Sequence, residues 1–240
     1  MIAIFAALKD EIKFILPEID IYEKICLRPS IIFRGEYLGK DILVAHTGVG
    51  YAKMKRAADF CIKEYRPELC INIGYCGALT PNLSLGQLVI ADSVIYESVG
   101  AAIPTDIASI SQKIDIACKN AQIKFQKGSI LTVDKIVSSP HEKAFLGTKF
   151  GAIALDMESA GLADAATISK TPFAVMRAVL DPMDMHLPNF TTEDSANNIN
   201  IVIKNIASKP QNILALPQLH YCASEARQTI ERFTNEFIKN

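Results

Sequence analysis

The chain has 240 residues, half of them hydrophobic, with 25 Lys and Arg against 26 Asp and Glu and a formal charge of −1. That length suits one large domain or two small ones, and the near-zero charge offers no general attraction to nucleic acid or to an anionic membrane. Charged residues, 21% of the chain, are spread along it, which argues against intrinsic disorder.

The mean hydropathy of +0.20 raises the question of a membrane span. A spanning helix needs ~20 consecutive apolar residues, and every apolar run here is cut by charge, Gly or Pro. The opening Met1–Leu8 is apolar, but Lys9, Asp10 and Glu11 follow it at once and no basic segment precedes it, so it reads as a buried strand. The six cysteines form no CxxC pair and share no ligand spacing with the four histidines. They read as reduced core thiols of a cytoplasmic protein, and no metal is implied.

In chain order, Ile2–Ala6 is expected to be a strand and Asp10–Leu16 to begin a helix. Ile31–Arg34 and Asp41–His46 form a hairpin pattern around Leu38-Gly39-Lys40. Tyr51–Tyr65 is helical, with Ala57, Cys61 and Tyr65 at spacing four. Leu69–Ile73 is an apolar strand running into a Gly74–Ala78 loop. Gln87–Ile95 and Ser129–Thr132 are strands on either side of a helix at Ile107–Ala121. Ala152–Leu155 and Phe173–Leu180 are buried strands separated by a helix that begins near Glu158. Thr191–Ser208 and Glu225–Ile238 read as amphipathic helices around a segment, Lys209–Leu219, that carries two prolines. Continuous apolar strands imply a sheet covered on both faces, hence an α/β sandwich of three layers. The expected organisation is one domain over residues 1–190 with a helical C-terminal appendage, 191–240, packed on it.

Open α/β sheets bind ligands at the carboxyl ends of strands. Past those ends stand Lys9-Asp10-Glu11, Thr47-Gly48-Val49-Gly50, Gly74-Tyr75-Cys76-Gly77-Ala78, Asp156-Met157-Glu158-Ser159 and Asp181, with Arg177 inside the last strand. A buried acid or guanidinium needs a partner or a ligand. Taken singly, Glu158, Arg177 and Asp181 could each belong to a structural ion pair; converging on one sheet edge, they point to a site. The glycine segments could equally be tight turns or backbone donors, and they match neither GxGxxG nor a P-loop. His186 extends from the last strand, and Cys76 lacks any neighbour that would activate a thiolate.

These five segments, in this order, resemble the purine/uridine phosphorylase superfamily over roughly Met1 to Leu187, and within it the methylthioadenosine/S-adenosylhomocysteine nucleosidase branch. The resemblance implies a three-layer α/β/α sandwich around a mixed, partly barrel-like sheet, and cleavage of a nucleoside's N-glycosidic bond. By position, Asp181 resembles the acid that protonates N7 of the departing purine. Glu158, with Met157 beneath the sugar, resembles the ribose-binding carboxylate. Glu11 resembles the base that activates water, with Arg177 holding that region. Cys76 and Gly77 resemble the loop lining the base pocket, and Ile136 and Val137 the segment contacting the adenine edge. A homodimer acting on a small nucleoside without any cofactor is implied as well.

Phosphorylases of this superfamily hold phosphate with arginines, where this chain has Lys9 and Asn72. Without bidentate guanidinium partners a phosphate dianion binds weakly, which favours water as the nucleophile. Tyr75 and Leu180 stand where the nucleosidases usually carry serine, and the proline-containing tail is additional. These departures resemble the hopanoid-associated branch, which releases adenine from adenosylhopane, and they leave the 5′-substituent open. A phosphate-dependent phosphorylase and a non-catalytic nucleoside- or lipid-binding module are the alternatives.

Overall fold

The computed structural model describes residues 1–185 and 216–240. Its strands are β1 (Ile2–Ala6), β2 (Asp20–Leu27), β3 (Ser30–Tyr37), β4 (Lys40–His46), β5 (Leu69–Ala78), β6 (Leu88–Tyr96), β7 (Ala102–Pro104), β8 (Phe125–Thr132), β9 (Ala154–Asp156) and β10 (Phe173–Asp181). The helices are α1 (Tyr51–Tyr65), α2 (Ser111–Ala121), α3 (Pro140–Phe150), α4 (Ser159–Ser169) and α5 (Leu216–Lys239), with a 3-10 helix at Lys9–Ile12.

All ten strands join one sheet in the order β10-β6-β8-β9-β5-β1-β4-β3-β2, with β7 added on β6. A further parallel pairing of β10 with β5 closes β10, β6, β8, β9 and β5 into a ring, from which β1, β4, β3 and β2 extend as an open wing. The sheet is therefore mixed and partly barrel-like. β4, β1, β5 and β10 all run parallel, so their carboxyl ends share one edge.

Alternation along each strand divides the interior. Ala3, Phe5, Leu43, Ala45, Cys70, Phe173, Val175 and Val179 face the core under α1 and α4. Their neighbours Ile4, Ala6, Ile42, Val44, Ile71, Ile73, Ala174, Met176 and Ala178 face the core under α2 and α5. Two buried faces favour strands that are apolar at nearly every position, the pattern the sequence carries apart from Asn72 in β5 and Arg177 in β10. α1 and α4 cross closely because residue 161 is glycine: a Cβ there would stand 2.4 Å from the Tyr51 carbonyl oxygen. α5 lays Ala226, Ile230, Phe233 and Phe237 onto the opposite face of the sheet. A third cluster, built from Leu79, Leu131, Val133, Val137, Leu146 and Leu155, lies by α3.

Several elements differ from the sequence expectations. The segment after β1 forms a 3-10 turn rather than an α-helix from Asp10 to Leu16. Gly74–Ala78 is no loop: β5 continues through it, buried at all ten of its positions. β2, β7 and α3 carry no clear hydrophobic signature and are additions. α2 starts at Ser111 rather than Ile107, and α5 at Leu216 rather than Glu225. The expected Thr191–Ser208 helix, His186 and positions 209–215 lie outside the described residues. Among the described residues, no helix is long and apolar enough to cross a membrane.

Candidate active site

β10 supplies two of the site's charges. Phe173, Val175 and Val179 point toward α1 and α4, and by the same alternation Arg177 does too, wholly buried. Its register partner across the ladder is Gly74. A Cβ at residue 74 would lie 2.2 Å from Arg177 Nη1 and 2.5 Å from Glu11 Oε1. Only glycine leaves room for these two side chains to lie against the strand at this point.

Arg177 Nη2 lies 2.5 Å from Asp156 Oδ2 and 3.6 Å from Glu158 Oε2, and it donates to Ser159 Oγ at 3.2 Å. Asp156 ends β9 and organises the start of α4. It accepts the backbone N–H of Glu158 at 3.3 Å and of Ser159 at 3.2 Å, together with the Ser159 hydroxyl. Thr132 Oγ1 donates to its other oxygen at 2.8 Å. A carboxylate at a helix N-terminus also meets the positive end of the helix dipole. Glu158 stands one residue before α4, and its Oε1 accepts the Gly50 N–H at 3.0 Å. The glycine segment after β4 is thus tied by its backbone to the site carboxylate.

Glu11 enters from the 3-10 turn after β1. Both its oxygens are engaged, Oε2 by the Leu8 N–H at 2.8 Å and Oε1 by the Tyr75 N–H at 3.0 Å. Burial pushes its carboxyl above the usual range, while Arg177 and the backbone donors pull back. Glu158 is raised for the same first reason, opposed by Arg177 and reinforced by Asp156 and Glu11. Three carboxylates around one guanidinium leave an excess of negative charge even when one glutamate holds a proton.

Asp181 lies at the end of β10, opposite Gly77, just past a register shift after Val179. Its Oδ2 pairs with Lys143 Nζ at 2.6 Å, while Oδ1 is buried with no hydrogen-bond partner among the described residues. Burial pushes its carboxyl up to about 6, opposed by Lys143 and aided by Asp184. Cys76 sits between the two charged groups in the strand core, with Arg177, Asp156 and Asp181 all acting on a thiol that burial keeps neutral.

Glu11, Arg177 and Glu158 are therefore brought together, and Asp181 lies four residues on along the same strand. Cys76 and Gly77 flank Asp181 across the ladder, as strand residues and not as a loop. Val137 and half-buried Met157 share the α3-side cluster, and Ile136 is half-buried after β8; none of the three contacts the carboxylates in the hydrogen-bond network. Asp156, Ser159, Thr132 and Lys143 were not singled out from sequence. Asp156 and Ser159 stand in a strand-end segment that drew notice, whereas a lysine in a polar helix gives no signal. Among the described residues, no cluster of His, Cys, Asp and Glu could hold a metal ion.

Comparison with known proteins agrees with the fold. The 5′-methylthioadenosine/S-adenosylhomocysteine nucleosidase of Bacillus licheniformis is 24% identical over 225 residues, covering 85% of this chain and 97% of the relative. The solved nucleosidase of that name from Campylobacter jejuni superposes with a TM-score of 0.78 at 20% identity, over 99% of this chain and 98% of the other. A futalosine hydrolase mutant of Helicobacter pylori matches with a TM-score of 0.67 at 25% identity, over 74% and 88%. The family model for the phosphorylase superfamily matches residues 1–214, and the chain belongs to that superfamily.

Proposed function

We propose that the protein is a nucleoside N-ribohydrolase that releases adenine from a 5′-substituted adenosine. The observation that carries this reading is Asp181: a buried carboxyl whose Oδ1 has no hydrogen-bond partner among the described residues, at the end of the strand that also carries Arg177. Adenine leaves poorly as an anion, and an acid with an elevated pKa can protonate N7 as the C1′–N9 bond breaks. Glu158 binds the ribose hydroxyls and, with its neighbours, stabilises the positive charge that develops on the sugar. Glu11 takes a proton from the water that bonds to C1′. The products are adenine and the 5-substituted ribose.

The charge balance favours water over phosphate. Arg177 Nη2 is committed to Asp156 and Ser159, and Asn72 donates to Ser159 Oγ at 3.3 Å. A phosphate dianion would meet net negative charge, and although Arg177 Nε and Nη1 have no hydrogen-bond partner among the described residues, the engaged Nη2 belongs to both bidentate edges of the guanidinium. For the 5′-group, the names of the relatives favour a methylthio or homocysteinyl substituent; the hopanoid-like features of the sequence favour a bulkier lipid one. By the same resemblance we expect a homodimer in the cytoplasm, and light scattering tests the first point.

The deciding measurement is adenine release from methylthioadenosine, S-adenosylhomocysteine and a long-chain 5′-alkyl adenosine, with inosine for comparison, each with and without phosphate. Release that needs no phosphate is expected. Release of no base from any of them, or ribose-1-phosphate formed only when phosphate is present, would overturn the reading.

A further inference from the structure

The molecule buries a lysine completely. Lys143, in the first half of α3, has no exposed surface. A buried ammonium is stable only if its three donors are satisfied. Lys143 Nζ finds Asp181 Oδ2 at 2.6 Å, the Pro182 carbonyl at 3.0 Å and the Met185 carbonyl at 3.5 Å. All three acceptors belong to the end of β10 and the turn that follows it.

The helix that carries this lysine is itself held firmly. Pro140 opens α3, the Lys143 N–H donates to the Ser139 carbonyl at 3.0 Å, and Leu146 is buried in the neighbouring cluster. A Cβ at Gly147 would stand 2.7 Å from the Leu79 carbonyl oxygen, so the helix rides directly on the segment after β5. A rigid helix thus delivers one cation to one oxygen of one carboxyl.

From this geometry we infer that Lys143 is the positioning residue for Asp181: by occupying Oδ2 it locks the carboxyl's orientation and leaves Oδ1 alone to face the leaving purine. The inference rests on Asp181 being the leaving-group acid. When the C1′–N9 electron pair moves onto the purine, N7 takes the proton from Oδ1 and Asp181 is left as a carboxylate. Lys143 stabilises that charge through Oδ2.

A pH signature follows. Among the described residues, the groups acting on Asp181 are Lys143 from α3 and Asp184 from the turn after β10; the thiols of Cys76 on β5 and Cys222 on α5, both raised by burial, lie within its field. Lys143 is the one that opposes burial. Removing its charge lets the Asp181 pKa climb further, so the proton is held to higher pH while the ionised product state loses its support.

The test compares wild type, Lys143→Met, Lys143→Arg, Asp181→Asn and the Lys143→Met/Asp181→Asn double variant. Two readouts are measured against pH: adenine release from methylthioadenosine, and thermal stability. Lys143→Met is expected to lose about 10–100-fold in kcat with little change in KM, and to move the alkaline limb of kcat upward by about one pH unit. Lys143→Arg, which keeps a cation, is expected to keep the wild-type limb, and it serves as the probe if Lys143→Met does not fold.

Thermal stability gives a readout that needs no turnover. Because the folded pKa of Asp181 is raised, its protonated form favours the folded state. Its contribution is complete at low pH and is lost as pH rises through about 6. Lys143→Met should extend that loss to higher pH, and the double variant should abolish it. If Asp181→Asn keeps wild-type activity, the acid assignment falls. If Asp181→Asn is inactive but Lys143→Met keeps both the wild-type limb and the wild-type stability profile, the inference about Lys143 falls alone. A shifted limb in Lys143→Arg would also overturn it.

Discussion

Two charged centres lie four residues apart on β10, and they are built differently. At Arg177 one guanidinium faces Asp156, Glu158 and Glu11, and those acids are further held by Thr132, Ser159 and the backbone N–H groups of Leu8, Gly50 and Tyr75. At Asp181, among the described residues, a single ammonium meets a single carboxyl, and one oxygen is left without a partner. The acids of the first centre are held redundantly, although Arg177 Nε and Nη1 have no hydrogen-bond partner among the described residues; that suits the proposed holding of a sugar and a water. The second is poised, suited to giving up a proton. Redundant partners make a group rigid, whereas a single partner makes it tunable.

Removing the hub tests the first half of this contrast. Arg177→Met leaves Asp156, Glu158 and Glu11 buried without their cation, and a loss of about 3–5 kcal/mol in urea unfolding is expected. A loss below about 1 kcal/mol would show that the carboxylates are held without it.

Asp181→Asn tests the second half. The amide cannot act as the acid, so kcat should fall by about 10²–10⁴-fold while the fold persists. In the wild-type protein the activity carried by the protonated acid should decline as pH rises through about 6, and that limb should vanish in the variant. A pH-independent wild-type rate between pH 5 and 8 would contradict the assignment.

Gly74→Ala sharpens the comparison by disturbing only the Arg177 centre. The new methyl group collides with Arg177 and Glu11, which should cost about 1–3 kcal/mol of stability. The rate should fall with it, but the alkaline limb set by Asp181 should stay where it is.

The smallest effect is expected at the outer shell of the Glu11 side. Arg227 of α5 donates to Asp10 at 2.9 Å, and the Tyr75 hydroxyl donates to the same carboxylate at 2.7 Å. This ion pair is about three-quarters buried, and Arg227→Ala should cost about 1 kcal/mol or less. Unchanged melting in 1 M salt would show that the pair contributes nothing measurable.

How much was legible follows from the kind of signal each element carries. β1, β4, β5, β6 and β10 could be read because both faces are buried along most of their length and apolar residues predominate there. α1 could be read because Ala57, Cys61 and their neighbours repeat at helical spacing. β2 could not be read, since six of its eight residues are exposed and only its ladder with β3 holds it. α3 was hidden for a related reason: its buried positions are Lys143 and Leu146, and a lysine in a polar segment reads as solvated surface. The carboxylates at strand ends stood out because charge interrupts apolar sequence there, yet nothing in that pattern separates Asp156, which braces Arg177 and α4, from Glu158, which faces the site.

The order of apolar runs by itself determined the two-faced sheet and the edge on which Glu11, Glu158, Arg177 and Asp181 would gather, because burial on both faces demands largely apolar strands and makes the charges at or near their ends stand out. The tertiary structure decided the partners. Which carboxylates share Arg177, why residue 74 must be glycine and which oxygen of Asp181 is left without a partner among the described residues depend on contacts between segments up to some 170 residues apart in the chain. Those contacts arise where β10 settles between β5 and β6 and α3 closes over its end, a geometry that no local pattern of hydrophobicity encodes.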